Sequence, residues 1–229
     1  MKVGFVSLVG RPNVGKSSLL NSFLERKIAI TSDKVQTTRN IIQGIYNDLD
    51  SQIVFIDTPG IHKPRYKLGN ILNKKAYSVT SDVNIILFVI DVSTGFGKGD
   101  SLILERIKEE NIPIILVLNK VDKINKGLLL ERIAEYSKIH SFDEIVPLSA
   151  TENDNVNRLI QVIKGYLPEQ EKIYNDEIIT NINNKFYISE IVREKILRLT
   201  KEEVPHSVTC MVEEFKEKKE SVYIQVLIV

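Results

Sequence analysis

A single cysteine, Cys210, stands in the 229-residue chain. One thiol excludes an intrachain disulfide; within a strand-like run it reads as buried, and it fits a reducing cytoplasm. No secretory leader precedes the first apolar segment, which starts at Val3, so a cytoplasmic location is expected. Long hydrophobic runs are missing too. The longest, Ile85 to Ile90, is too short to span a bilayer and reads as a buried strand. A strong charge of either sign is also absent: 31 Lys and Arg against 30 Asp and Glu leave a net charge of +1. That balance argues against broad electrostatic nucleic-acid binding and against a DNA partner. The charge is uneven along the chain. Residues 1–169 carry 22 basic and 19 acidic side chains, and residues 170–229 carry 9 and 11. No internal repeat is visible, and the 43% hydrophobic share is enough to build a core.

What is present begins at once. The apolar run Val3 to Val9 leads into Gly10-Arg11-Pro12-Asn13-Val14-Gly15-Lys16-Ser17, and Ser18 to Arg26 continues as a helix. A strand before and a helix after are the context that a phosphate-binding loop needs. Glycines at positions 10 and 15 let backbone N–H groups wrap around phosphate oxygens, and the helix N-terminus adds partial positive charge. Lys16 supplies a full charge to the β and γ phosphates, and Ser17 a hydroxyl for Mg²⁺.

Three further strand ends carry chemistry. Asp57-Thr58-Pro59-Gly60 follows Gln52 to Ile56. The Asp57 carboxylate is placed to hold Mg²⁺ through water, and the Gly60 N–H to meet a γ-phosphate. Asn119-Lys120-Val121-Asp122 follows Ile114 to Leu118. A carboxylate at position 122 accepts two hydrogen bonds from guanine N1–H and its 2-amine, donors that adenine lacks. Asn119 either bonds the base or braces the loop, and the stem of Lys120 lies over the ring. Ser149 and Ala150 follow Glu144 to Pro147, where a small residue lets a backbone N–H reach the guanine oxygen. Between the first helix and the second strand, Thr37 and Thr38 lie in a polar segment. A Thr hydroxyl there closes over Mg²⁺ when a γ-phosphate is present and is released when it leaves.

Strand and helix alternate from Val3 to Leu167. Strands are predicted near 3–9, 41–47, 52–57, 84–91, 113–119 and 144–149, and helices near 16–26, 67–80, 99–110, 126–140 and 154–166. A turn at Asn47 to Asp50 makes one strand antiparallel. The expected fold is α/β: a six-stranded, mostly parallel sheet covered by helices, with nucleotide at the carboxyl ends of the strands. Residues 1–168 form this nucleotide-binding domain, and 169–180 are a polar, acidic linker. Beyond it come a helix over Phe186 to Leu199, strands at Ser207–Phe215 and Ser221–Val229, and a charged turn at Glu214 to Glu220.

In this order the motifs resemble the translation-factor-related GTPases. Gln36-Thr37-Thr38-Arg39, Asp57 to His62, Asn119 to Asp122, Ser189 to Lys195 and Val204 to Thr209 resemble the bacterial Era GTPases over essentially the whole chain. The resemblance implies a P-loop GTPase domain followed by an α+β K-homology (type II) domain. It also implies binding of GTP and GDP with Mg²⁺, action on small-subunit (16S) ribosomal RNA in 30S maturation, and peripheral association with the inner face of the cell membrane. A K-homology domain grips RNA with a Gly-x-x-Gly loop between helices. None occurs after Asn181, so residues 181–229 are expected to be a partial domain in a C-terminally truncated chain that binds RNA poorly.

Lys16, Thr38 and Gly60 are the catalytic candidates, with Ser17, Thr38 and Asp57 as Mg²⁺ ligands. Ras-type GTPases orient the attacking water with a Gln just after the Gly of this motif. Here Ile61 stands in its place and cannot bond water, so hydrolysis is expected to be weak. Asn13 resembles the K⁺ ligand of some relatives, which makes K⁺ a candidate activator. A second reading is a GTP-gated binding module with negligible turnover; a third, a tRNA-modification GTPase relative, is disfavoured by the residues after Ser189. His62 follows the second switch segment, His140 and His206 read as surface or packing residues, and Lys63, Arg65, Lys67, Lys74 and Lys75 form a basic cluster.

Overall fold

The computed structural model describes residues 1–61, 67–201 and 204–229. His62, Lys63 and Arg65, and the side chains of Lys67 and His206, lie outside the described residues.

Strand β1 (Lys2–Val9) runs parallel to β3 (Ser51–Asp57) on one side and β4 (Ile85–Asp91) on the other. β2 (Ile42–Asn47) pairs antiparallel with β3, while β5 (Ile114–Asn119) and β6 (Glu144–Leu148) extend the sheet in parallel, giving the order β2-β3-β1-β4-β5-β6. The hairpin at Asn47 to Asp50 is therefore present, and the sheet is mostly parallel, as the sequence predicts. Every residue of β3, β4 and β5 is buried. That explains their near-continuous apolar runs, since helices cover both faces.

On one face, Leu19, Leu20 and Phe23 of α1 (Lys16–Leu24) and Val156, Leu159 and Ile163 of α5 (Val156–Tyr166) pack on Val6, Leu8, Phe55 and Val117. Phe23 stacks on Phe55 with ring centroids 4.1 Å apart, a contact whose truncation to Ala typically costs about 3–5 kcal/mol. On the other face lie Ala76 of α2 (Lys67–Tyr77), Ile103, Leu104 and Ile107 of α3 (Lys98–Ile107) and Tyr136 of α4 (Lys126–Tyr136). α2 stops short of the expected residue 80 because the Thr80 N–H and hydroxyl both donate to the Tyr77 carbonyl, closing a turn.

Chain order reverses at β1: the connection through α1 leads to β2 and β3 on one side, and the next strand, β4, lies on the other. This switch point opens a crevice at the carboxyl ends of the strands, where α/β sheets bind ligands. The register aligns Leu8 with Asp57 and Asp91 with Asn119, so the functional strand ends finish level with one another.

The stretch 169–180 is docked along the edge strand. Ile45 N donates to the Ile179 carbonyl at 2.9 Å, and Thr180 Oγ1 donates to the Gln43 carbonyl at 2.7 Å. The fully buried Gln52 accepts from the Ile173 and Tyr174 amides and donates to the Tyr174 carbonyl. The chain thus covers β2, whose free edge would otherwise invite pairing with another strand.

Beyond it, Asn183 caps α6 (Asn184–Leu199) by accepting the Phe186 N–H at 2.9 Å. A short helix α7 (Val204–Ser207) then precedes β7 (Cys210–Glu217) and β8 (Val222–Ile228), an antiparallel pair. The strand expected from Ser207 starts later because residues 204–207 are helical, with Pro205 tolerated in a first turn. The charged turn is also tighter than expected: pairing continues to Glu217↔Val222, and Lys218 N closes on the Ser221 carbonyl. Leu197, Val208 and Cys210 pack on Ile30, so this second unit sits against the loop that follows α1.

Candidate nucleotide-binding site

At the carboxyl end of β1 the loop 10–15 turns into α1. Gly15 has φ +99°, and a Cβ on it would lie 2.2 Å from Asn119 Nδ2. Only glycine allows both the left-handed backbone and that approach. Lys16 is buried, its Nζ donating to the carbonyls of Gly10 at 3.0 Å and Arg11 at 2.9 Å. Burial lowers its pKa to about 8, against the upward pull of Asp57.

Three chain segments bring oxygens together beside it. Ser17 Oγ donates to Asp57 Oδ2 at 2.6 Å and lies 2.8 Å from Thr38 Oγ1. Asp57 is fully buried, and its Oδ1 has no hydrogen-bond partner among the described residues. Burial pushes its pKa up to about 6, against the opposing effects of Lys16 and the Ser17 hydroxyl. Two hydroxyls and a carboxylate with a spare buried oxygen are the hard donors that suit Mg²⁺. The donor set therefore fits the ion that the sequence implies. No group of three His, Cys, Asp or Glu side chains gathers as an alternative metal site among the described residues.

Gly60 passes directly over the phosphate loop, where a Cβ would sit 2.6 Å from the backbone of Pro12. Ile61 donates its N–H to the Gly10 carbonyl, and its buried side chain packs with Val9 and Phe88 in the core. Thr58 turns inward, its hydroxyl on the Leu8 carbonyl at 2.7 Å. Pro12, Asn13, Gly15, Ser17, Ser18 and Gly60 face a cleft of about 460 Å³. The side chain of Arg11 points elsewhere, to Asp100 Oδ1 at 2.8 Å and Thr94 Oγ1 at 3.3 Å. Val14 is buried in the core and contributes its carbonyl.

At the other end, Asn119 Nδ2 donates to that Val14 carbonyl at 2.8 Å, and its Oδ1 accepts from Ala150 N at 3.0 Å. Of the two roles open to it, this geometry is the brace: one amide ties the phosphate loop to the strand-end loops. Ser149 Oγ donates to Asp122 Oδ1 at 2.5 Å, fixing the carboxylate. Lys120 Nζ donates to the Asn13 carbonyl and to Asp91 Oδ2, each at 2.6 Å. Burial would raise the Asp91 pKa, but the Lys120 and Ser93 hydrogen bonds hold it below the usual carboxylate range. Asp91 and Asp100 are absent from the sequence candidates; Asp91 is the acid that ends the apolar strand β4, the signal that would have found it, and Asp100 is a buried acid in the first turn of α3. Asn13 has φ 63° and donates to the Asp33 carbonyl at 2.6 Å, linking the phosphate loop to the loop that carries Thr37 and Thr38. The Thr37 hydroxyl serves that loop internally, donating to the Lys34 carbonyl at 2.6 Å. Within the basic cluster, Lys75 Nζ reaches Asn40 Oδ1 at 3.2 Å and the Arg39 carbonyl at 3.4 Å.

Residues 5–120 match the family described as 50S ribosome-binding GTPase. The chain is 48% identical over 228 residues to GTPase Era of Staphylococcus haemolyticus, covering 99% of this chain and 76% of that protein. It is 47% identical over 223 residues to GTPase Era of Clostridium kluyveri, covering 97% and 76%. A crystal structure of Era with MgGDPNP and nucleotides 1506–1542 of 16S ribosomal RNA superposes with a TM-score of 0.96 at 40% identity, covering all of this chain and 78% of that one. By its identity to GTPase Era over nearly its whole length, the chain belongs to the Era family of GTPases.

Proposed function

We propose that this chain binds GTP and GDP, hydrolyses GTP, and acts as a switch in assembly of the small ribosomal subunit. One observation carries the reading: Ser17, Thr38 and Asp57 converge within hydrogen-bonding distance beside Lys16. In the proposed site Lys16 and the amides opening α1 hold the phosphates, Asp122 reads guanine, and Ser149 and Asn119 keep the base loops in place. Mg²⁺, held by Ser17, Thr38 and Asp57, would neutralise charge on the phosphates. The Gly60 amide is the γ-phosphate contact, and loss of that phosphate would free Thr38 and its loop. The test is fluorescent GDP and GTP binding followed by single-turnover hydrolysis. Lys16→Ala should remove most affinity, and ATP should not compete.

The ribosomal part of the reading follows the Era structure that holds 16S ribosomal RNA. We read residues 1–168 as the nucleotide-binding domain, 169–180 as the connector, and 181–229 as part of a K-homology domain. No Gly-x-x-Gly stands after Asn181, so these residues alone should bind RNA of the 16S 3′ end weakly, which fluorescence anisotropy measures. Peripheral membrane contact and K⁺ activation complete the reading. No described helix is long and apolar enough to cross a membrane; vesicle co-sedimentation tests the peripheral contact. Asn13, beside the Asp33 carbonyl, is the K⁺ candidate, and equal hydrolysis rates in K⁺ and Na⁺ would remove it.

A second reading is a GTP-gated binding module with negligible turnover. The core position of Ile61 favours it, because that side chain neither faces the cleft nor bonds water. Single-turnover hydrolysis of bound GTP separates the two readings.

A further inference from the structure

Helix α6, outside the nucleotide-binding sheet, holds both ends of the loop 31–37. At one end the buried Glu194 carboxylate accepts the Thr31 N–H at 3.0 Å, and Arg198 Nη2 donates to the Thr31 carbonyl at 3.3 Å. At the other end Arg193 Nη2 donates to the Thr37 carbonyl at 2.5 Å. Arg193 is 2% exposed, and Glu190 fixes its guanidinium through Nε at 2.7 Å and Nη2 at 2.6 Å. The residue that follows Thr37 is Thr38, whose hydroxyl lies 2.8 Å from Ser17 Oγ. The Thr37 carbonyl and the Thr38 nitrogen share one planar peptide unit. Holding the carbonyl oxygen therefore restrains where the Thr38 nitrogen and Cα lie, and its β-branched side chain has few rotamers left. Arg39, on the far side of Thr38, is tied to the second unit as well, through Nη1 to the Val208 carbonyl at 2.7 Å.

We propose that Arg193 is a positioning residue for GTP hydrolysis: through the Thr37–Thr38 peptide it holds the Thr38 hydroxyl at the Ser17–Asp57 cluster. A helix of the second unit thereby sets the geometry of the Mg²⁺-dependent, triphosphate-bound state. This rests on the GTPase reading above. The hydrogen bonds of Lys16 and Asp122 do not involve Arg193, so GDP affinity should not depend on it.

The experiment measures GDP affinity, GTP-analogue affinity, Mg²⁺ half-saturation and single-turnover hydrolysis for the full 229-residue chain. Arg193→Ala should slow hydrolysis about tenfold, raise the Mg²⁺ requirement and weaken the GTP analogue, with GDP affinity unchanged. Arg193→Lys keeps one donor to the Thr37 carbonyl and should recover part of the loss. Removing Arg193 alone leaves the half-buried Glu190 without its cation, so the double variant Arg193→Met/Glu190→Leu serves as the folded control; well-packed apolar replacements of ion pairs are often tolerated. It should show the same loss. In a Thr38→Ala background, neither change at Arg193 should slow hydrolysis further, because residues acting through one another are not additive. A purely structural role would instead lower thermal stability and GDP affinity together. The proposal is overturned if the variants keep the wild-type rate and GTP-to-GDP preference, or if their effects add to that of Thr38→Ala. A wild-type chain that binds GDP but ignores the γ-phosphate overturns it too, while leaving nucleotide binding intact. A wild-type chain that binds no guanine nucleotide overturns the GTPase reading itself.

Discussion

The ammonium of Lys120 lies 2.6 Å from Asp91 Oδ2 and 2.6 Å from the carbonyl oxygen of Asn13. One cation from the loop after β5 thus ties the end of β4 to the loop 10–15. Asp91→Ala releases Lys120 from its only acidic salt-bridge partner among the described residues. Guanine-nucleotide affinity should fall about tenfold, about 1.4 kcal/mol. The loss should be equal for GDP and GTP, because nothing in the contact involves the γ-phosphate, and calorimetric titration of both nucleotides checks it.

Asp122, held by the Ser149 hydroxyl at 2.5 Å, is the assigned reader of guanine. Asp122→Asn should shift preference toward xanthine, whose extra carbonyl suits an amide donor. Ser149→Ala should weaken guanine binding without changing the preferred base. Competition between GTP and XTP against a fluorescent nucleotide measures both. Unchanged GTP affinity in Asp122→Asn would remove the assignment.

Asp57 sets function against stability. Burial raises its pKa from 3.8 to about 6, so the folded state prefers the protonated form. The sign follows: stability is undiminished below pH 3.8 and is lost as pH rises through 6. Without nucleotide, the ionised carboxylate costs about 3 kcal/mol at neutral pH. Asp57→Asn should therefore melt at higher temperature than wild type near pH 7, with the gap closing below pH 4, while losing Mg²⁺-dependent GTP binding. Melting curves of the nucleotide-free proteins across that range are the check.

Glu194 behaves in the opposite sense. Burial alone would raise its pKa, but hydrogen bonds from Lys27 and the Thr31 amide pull it below the ordinary glutamate value of 4.5. Its contribution to stability is fully present above that value and lost as pH falls through the folded one. Glu194→Gln should lower the melting temperature at pH 7. The difference from wild type should narrow once pH drops below about 4.5.

The strand-end motifs were legible because their local geometry demands particular residue types at particular points: a Gly at position 15 or 60 where the backbone must approach a neighbour, an Asp at position 57 where hydroxyls converge. Buried parallel strands announce themselves as apolar runs, and Ile85 to Asp91 is the plainest case. Pairings between distant residues were not legible. Arg193 and Glu194 sit in the middle of a helix whose charged positions look like an ordinary solvated face, and only tertiary placement buries them against Thr37 and Thr31. Asp91 lacked a motif, so its partnership with Lys120 waited for the register of β4 against β5. The segment 169–180 has the composition of a free tether, and nothing local marks Gln52, three strands away in the chain, as the residue that fastens it.

That fastening has a consequence for how the two parts of the molecule communicate. Hydrogen bonds from Ile45 and Gln52, and from Thr180 to the Gln43 carbonyl, secure the path up to Thr180, and α6 starts only a few residues later, at Asn184. Little slack remains between the anchor and the helix. The effective concentration of α6 at the loop 31–37 is therefore high, as with any short tether that matches its span. Contacts too weak to hold as a free encounter can persist there, and the loop can part from α6 and meet it again without the second unit diffusing away.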